Sequence, residues 1–176
     1  MTKKIAFKIL LLGPGAVGKT SLLHRFVKNV FAEKYILTIG VEFLSKKIKI
    51  KKKHVKLIIW DIGGQKKFKF LHERFYVGSR GALLVFDLTN YQTFEEMEEW
   101  LAEAYEILDE KIPFVLIGNK SDLIDEVGET VDSSEARKFA EDKGSIYIET
   151  SAKTGENVEE GFTELTTRML EFWNPK

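Results

Sequence analysis

Apolar and polar positions along the chain follow two rhythms. Ile5, Phe7, Ile9, Leu10, Leu11 and Leu12 form a β-branched, apolar run that predicts a buried strand, and Leu22, Leu23, Phe26 and Val27 then recur at helical spacing. After a loop at residues 31–38, extended runs at 41–50 and 55–61 flank Lys51, Lys52, Lys53 and His54, which predicts a hairpin with those four residues at its turn. Alternation puts Leu44, Ile48, Ile50, Val55, Leu57 and Ile59 on the core side. It leaves Phe43, Lys47, Lys49, Lys51, Lys56, Ile58 and Trp60 facing out. Strands at 82–88, 114–118 and 146–150 then alternate with helices. The first helix is expected to open at Thr93, in a capping box with Glu96, and to carry Phe94, Met97, Leu101, Ala104 and Leu108 as its stripe. A second runs from Ser133 to a Gly144 C-cap, and a third starts near Asn157 and buries Val158, Phe162, Leu165, Met169 and Phe172. This order predicts an α/β chain with a mostly parallel six-stranded sheet, one antiparallel hairpin strand, and helices on both faces.

Composition narrows the function classes. With 176 residues and no repeat or Pro/Gly-rich linker, the whole of 1–176 reads as one domain. The absence of cysteine rules out disulfides, thiolate metal sites, cysteine catalysis and prenyl or palmitoyl attachment within this sequence. No apolar run reaches about 18 residues, and Thr2 stands where myristoylation needs glycine, so a cytoplasmic protein is expected. The formal charge is zero but unevenly distributed. Residues 1–80 hold 19 Lys+Arg against 4 Asp+Glu, and residues 81–176 hold 8 against 23, which predicts a polarised surface.

The chemistry centres on residues 13–20, G-P-G-A-V-G-K-T, which fit the phosphate-loop spacing and sit between the first strand and the first helix. Glycines there let successive amides turn inward on phosphate oxygens at the positive end of a helix. Gly13, Gly15, Ala16, Val17, Gly18, Lys19, Thr20 and Ser21 are therefore candidate nucleotide contacts, with Lys19 pairing the terminal phosphates and the Thr20 hydroxyl ligating Mg²⁺. Asp61 closes a buried strand before Gly63 and Gly64. Taken alone this is a turn signal, but after a phosphate loop it becomes a second metal element, with the Gly64 amide directed at a γ-phosphate. Asn119, Lys120 and Asp122 follow a parallel strand at its C-terminal end, where ligands bind in open α/β sheets. In isolation they are an ordinary polar turn. In sequence with the earlier motifs they form a base site, because a carboxylate accepts both N1–H and the 2-amino hydrogens of guanine, rejecting adenine by a factor on the order of 10⁴. Ser151, Ala152 and Lys153 could then offer backbone N–H groups to guanine O6 and a side-chain stem to the ring.

These motifs, in this order, resemble the small GTPases of the Ras superfamily over essentially the whole chain, on a P-loop NTPase fold. Residues 39–43, the Trp60-Asp61 pair and residues 118–123 are most similar to the Rab branch. Residues 60–65, W-D-I-G-G-Q, look more like the Arf branch, since Rab proteins usually carry Thr-Ala before the second glycine. The resemblance implies that Thr38 is the switch I threonine sensing Mg²⁺ and the γ-phosphate, that Phe31 stacks on guanine, and that Gln65 orients the attacking water. Residues 33–43 and 63–76 would be the two switches. Phe43, Trp60 and Phe75 resemble the aromatic patch that Rab effectors use. The implied activity is slow GTP hydrolysis with Mg²⁺ in a switch that recruits effectors in its GTP state; the alternative is a nucleotide-loaded module with little turnover. Effectors, an exchange factor and a GTPase-activating protein are the implied partners, with an anionic membrane surface as a further candidate for the lysine-rich hairpin. Nucleic acid is not expected, and a monomer is. Three positions depart from the Rab pattern: Lys66 stands where Glu is usual, Pro14 lies inside the phosphate loop, and the sequence closes on residues 172–176 with no lipid-accepting cysteine.

Overall fold

The computed structural model describes residues 4–33, 40–64 and 71–173. In chain order these form β1 (Ile5–Leu12), α1 (Lys19–Lys28), β2 (Val41–Ile50), β3 (Lys53–Ile62), α2 (His72–Tyr76), β4 (Ser79–Asp87), α3 (Tyr91–Glu95), α4 (Met97–Leu108), β5 (Phe114–Asn119), α5 (Ile124–Val127), α6 (Ser133–Asp142), β6 (Tyr147–Glu149) and α7 (Val158–Trp173). The sheet order is β2-β3-β1-β4-β5-β6, with every pairing parallel except the β2–β3 hairpin at one edge. The expected architecture therefore holds: six strands, mostly parallel, with one antiparallel pair.

Strand alternation sends successive side chains into two cores. Phe7, Ile9, Leu11, Val55, Leu57, Ile59, Val85 and Ile117 meet α1 and α7 on one face. Leu10, Leu12, Ile62, Leu84, Phe86 and Leu116 meet α2, α3, α4 and α6 on the other. Because both faces of β4 and β5 are covered, these two strands read as continuous apolar runs rather than as alternating ones. Gly81 lets α7 approach β4 closely: a Cβ there would lie 2.6 Å from the Met169 sulfur.

Three local expectations are corrected. Asn90, not Thr93, caps the helix after β4, with its side chain accepting from the Gln92 amide at 3.2 Å. Thr93 is inside that helix and buried. Its hydroxyl accepts from the Asp87 amide at 2.9 Å and donates to the Asn90 carbonyl at 2.7 Å, so it pins the turn to the strand end instead of opening the helix. Phe172 is exposed, and Trp173 takes the inward role, donating its indole N–H to the Arg80 carbonyl at 2.8 Å. The hairpin turn is the two residues Lys51 and Lys52, with Lys51 at φ 54°. Lys53 and His54 extend the ladder opposite Ile50 and Lys49, and their polarity suits an exposed strand end as well as a turn.

Candidate functional site

β1 delivers the chain into the loop 13–18, and α1 carries it away, so the first free amides of α1 face the loop. The loop is built tightly around its glycines. A Cβ on Gly13 (φ 145°) would lie 2.1 Å from the Val85 carbonyl oxygen, and one on Gly18 (φ 99°) 2.3 Å from the Asn119 side chain. Gly64, beyond β3, lies against the same loop, where a Cβ would come within 2.3 Å of the Gly15 amide nitrogen. Lys19 folds back over the loop and donates to the carbonyls of Gly13 and Pro14, at 2.7 Å each. Burial lowers its pKa to about 8, partly opposed by the nearby Asp61 carboxylate. A cation held inside a ring of backbone dipoles in this way is poised for an anion. Thr20 Oγ1 donates to Asp61 Oδ2, bringing a hydroxyl and a buried carboxylate together beside Lys19. That pair of hard oxygen donors fits Mg²⁺.

The second half of the site hangs on Asn119, at the end of β5 and almost fully buried. Its Nδ2 donates to the Val17 carbonyl at 2.9 Å, and its Oδ1 accepts from Thr150 Oγ1 at 2.9 Å and from the Ala152 amide at 3.3 Å. One side chain thus ties the phosphate loop to the loop after β6. Lys120 adopts φ 71° and reaches the Ala16 carbonyl at 2.6 Å and Asp87 Oδ2 at 2.7 Å. Asp122 Oδ1 accepts from Ser151 Oγ at 2.7 Å, and the same Oγ accepts from the Thr154 amide at 3.0 Å. The Ser151 amide itself is taken by the Glu156 carbonyl at 3.1 Å, so what Ser151 brings to the cleft is a hydroxyl holding Asp122.

Gly15, Ala16, Gly18, Lys19, Thr20, Ser21, Phe31, Gly64, Asn119, Lys120, Asp122, Ala152 and Lys153 all line one cleft of about 540 Å³. Gly13, Val17, Asp61 and Ser151 stand behind that lining. Val17 points its side chain into the core, and its carbonyl accepts from Asn119. Thr38 and Gln65 lie outside the described residues. Sequence reasoning missed three supporting groups. Arg25 Nε donates to the Ala152 carbonyl at 2.8 Å and Nη2 to the Lys153 carbonyl at 2.5 Å, so α1 clamps the loop after β6. The only sequence signal for this was its position four residues after Ser21, on the same helix face. Asp87 steadies Lys120, and it ends β4 much as Asp61 stands one residue before the end of β3, at the C-terminal ends of the strands where ligands gather. His24 also lines the cleft and bonds Glu42 at 2.8 Å, joining α1 to β2.

An aromatic row joins β2, β3 and α2. Phe43 stacks on Trp60 with ring centroids 4.9 Å apart, and Trp60 meets Phe75 at 5.9 Å. Phe43 is 60% exposed, as strand alternation predicts, and Trp60 is half-buried.

Residues 8–171 match the sequence profile of the Ras family. The chain is 41% identical over 170 residues to the Ras-related protein RABA4b of Arabidopsis thaliana, a match covering 97% of this chain and 75% of the relative. It is 43% identical over 164 residues to the Ras-related protein Rab-2B of Dictyostelium discoideum, covering 93% and 80%. With the Ras-related protein Rab-4A of Homo sapiens it shares 41% over 169 residues, covering 96% and 77%. A family profile spanning nearly the whole chain, joined to Rab-named relatives at this identity, means that the chain belongs to the Ras family and is a small GTPase of its Rab branch.

Proposed function

We propose that this GTP-binding protein is a signalling or trafficking switch of the Rab kind, and that the cleft between the loop 13–18 and the loops after β5 and β6 is its nucleotide site. The observation that carries this reading is Asn119, whose one buried side chain joins the phosphate loop to the loop after β6. In this reading the amides of residues 15–18 and the Lys19 ammonium hold the phosphates. Asp122, fixed through Ser151, accepts the hydrogens of guanine that adenine lacks. Phe31 and the Lys153 stem enclose the base. Thr20 and Asp61, with Thr38, are the residues that would hold Mg²⁺, which when bound neutralises charge on the β- and γ-phosphates. Gly64 contacts the γ-phosphate, Gln65 orients the attacking water, and the two switches are ordered only while the γ-phosphate is present. Effectors then read the aromatic row of Phe43, Trp60 and Phe75 together with the ordered switches. An exchange factor and a GTPase-activating protein reset the cycle. The working unit is a cytoplasmic monomer of one domain that meets membranes peripherally.

Intrinsic hydrolysis is slow in this account, because no described arginine lines the cleft and Arg74 lies on α2, past Gln65 in the chain. Arg25 is committed to the carbonyls of Ala152 and Lys153, and Arg80 pairs with Glu110 at 3.8 Å and stacks on Trp173. On the small-GTPase template, rates of roughly 10⁻⁴ s⁻¹ rise by about 10⁵ when an arginine arrives in trans. The test is single-turnover hydrolysis of bound GTP, with and without Mg²⁺ and with ATP as competitor. Slow, Mg²⁺-dependent turnover that ATP does not inhibit is expected, with Gln65→Leu losing most of the stimulated rate at nearly unchanged affinity. Unaided turnover on the order of 1 s⁻¹ would contradict the missing-arginine argument. Tight GTP binding with no hydrolysis under any condition would instead leave a nucleotide-loaded binding module.

A further inference from the structure

The uneven charge of the sequence becomes a spatial one. The basic first half supplies β1, β2 and β3, while the acidic second half supplies β5, β6 and the helices packed there, so the charges separate toward opposite edges of one sheet. At the β2–β3 edge, one face of the sheet is uncovered. The register sets Lys47 directly across from Lys56, which stands beside Ala6, and sets Ser45 across from Ile58, which stands beside Lys8. Ala6 is exposed even though β1 is an inner strand, which means that no helix among the described residues covers this corner.

This face carries no acid on its strands. Glu42 and Asp61, the acidic residues of β2 and β3, are opposite each other and belong to the other face, where Glu42 holds His24 and Asp61 holds Thr20. Like charges directly opposite in a ladder repel. Among the described residues, Lys47, Lys49 and Lys56 make no ion pair or hydrogen bond that would offset this repulsion. The turn adds Lys51 and Lys52, and Lys53 follows at the start of β3, all three exposed, with Lys51 in a left-handed conformation. The fold therefore sets like charges together on an exposed face, with no counter-charge on its strands.

We infer that this face docks on an anionic lipid surface. Three features select a membrane over an acidic protein. The face has no arginine on β2 or β3, and lysine is a hydrated point charge suited to diffuse phosphate headgroups, whereas arginine is the residue that forks onto a partner's carboxylates. Exposed Val77 borders it, with Lys8 donating to the Val77 carbonyl at 2.8 Å; a mixture of lysine and exposed apolar groups suits the headgroup boundary. A molecule of zero net charge with separated halves is oriented by a negative surface, its acidic helices facing away. The lysine turn lies at the start of β3 and the cleft lies beyond its end, so docking leaves the cleft open. The inference is independent of the nucleotide reading, since the face is built from strands.

The test is co-sedimentation of the full chain, loaded with GDP or a non-hydrolysable GTP analogue, with vesicles of phosphatidylcholine alone or mixed with phosphatidylserine, at low and high salt. Binding to the phosphatidylserine vesicles alone is expected, in both nucleotide states and weakening as salt shortens the Debye length. Each surface lysine is worth about a fivefold change in partitioning, so Lys47→Gln/Lys49→Gln/Lys56→Gln should reduce binding roughly a hundredfold. Lys138→Gln/Lys143→Gln, on the acidic side, should leave it unchanged. Failure to bind phosphatidylserine vesicles at low salt overturns the inference, as does binding that ignores the triple substitution. Salt-sensitive capture by polyglutamate without vesicle binding would assign the face to an acidic protein, and self-association abolished by the same substitutions would assign it to a second copy.

Discussion

Lysine plays opposite parts in two regions of this molecule. In the cleft, Lys19 is buried, is held by two carbonyls, and has its pKa pulled down to about 8 by burial. On the β2–β3 face, Lys47, Lys49 and Lys56 are exposed, set beside like charges, and unpaired among the described residues. The difference shows what each region is for. A site whose polar groups satisfy one another before any ligand arrives has its geometry fixed in advance, and it spends little ordering itself on binding. A face whose charges find no partner among the described residues is the one we infer to meet an anionic surface.

The contrast is broken most severely at Lys19. Lys19→Ala removes a buried cation from the phosphates, and charge-assisted hydrogen bonds are each worth about 1.5–3 kcal/mol, so GTP affinity should fall by roughly a thousandfold; isothermal titration would read this directly. An unchanged affinity would show that the loop amides alone hold the phosphates. Next comes Asn119→Ala, which deletes three buried hydrogen bonds joining two loops. The expected loss is about 3 kcal/mol in urea unfolding of the GDP-loaded protein, together with faster nucleotide release. Arg25→Ala should be milder, because its two bonds position the loop without touching the base pocket. Nucleotide dissociation about tenfold faster, at little change in folding stability, is the expected result, and stopped-flow release of a fluorescent GDP measures it. The smallest effect belongs to the lysine face: Lys47→Gln/Lys49→Gln/Lys56→Gln should leave GDP affinity intact and shift stability by no more than about 0.5 kcal/mol, since exposed charges contribute little to folding. A substantial loss of nucleotide affinity in that variant would mean the two regions are not separate.

Much of this was legible in the sequence, for physical reasons that also explain the exceptions. Glycine spacing between a strand period and a helix period locates the phosphate loop, because only glycine fits against Val85 and Asn119. Strand alternation correctly puts Phe43 and Lys47 outside and Leu57 inside, because the side-chain period in a strand is two. Contacts set by register across distant strands were not legible. Ser151 meets Asp122 only because β5 and β6 run parallel and end together, and Arg25 meets the Lys153 carbonyl across more than a hundred residues of chain. Thr93 fits a capping box locally, yet Asn90 captures the helix start, since the turn after Asp87 presents it first. Phe172 and Trp173 differ by one step of helical phase. The Arg80 carbonyl, which satisfies an indole and offers a phenyl ring nothing, decides between them.

The nucleotide site is tested most directly at Asp122, whose carboxylate is held by Ser151 and is assigned to guanine N1 and the 2-amino group. Competition binding of GDP, ADP and XDP to the wild type and to Asp122→Asn isolates that role, because xanthine's 2-oxo group suits an amide donor where guanine suits a carboxylate. The account predicts that the wild type prefers GDP over ADP by a factor on the order of 10⁴, and that the variant loses GDP and gains XDP. Equal GDP and XDP dissociation constants in both proteins would contradict it.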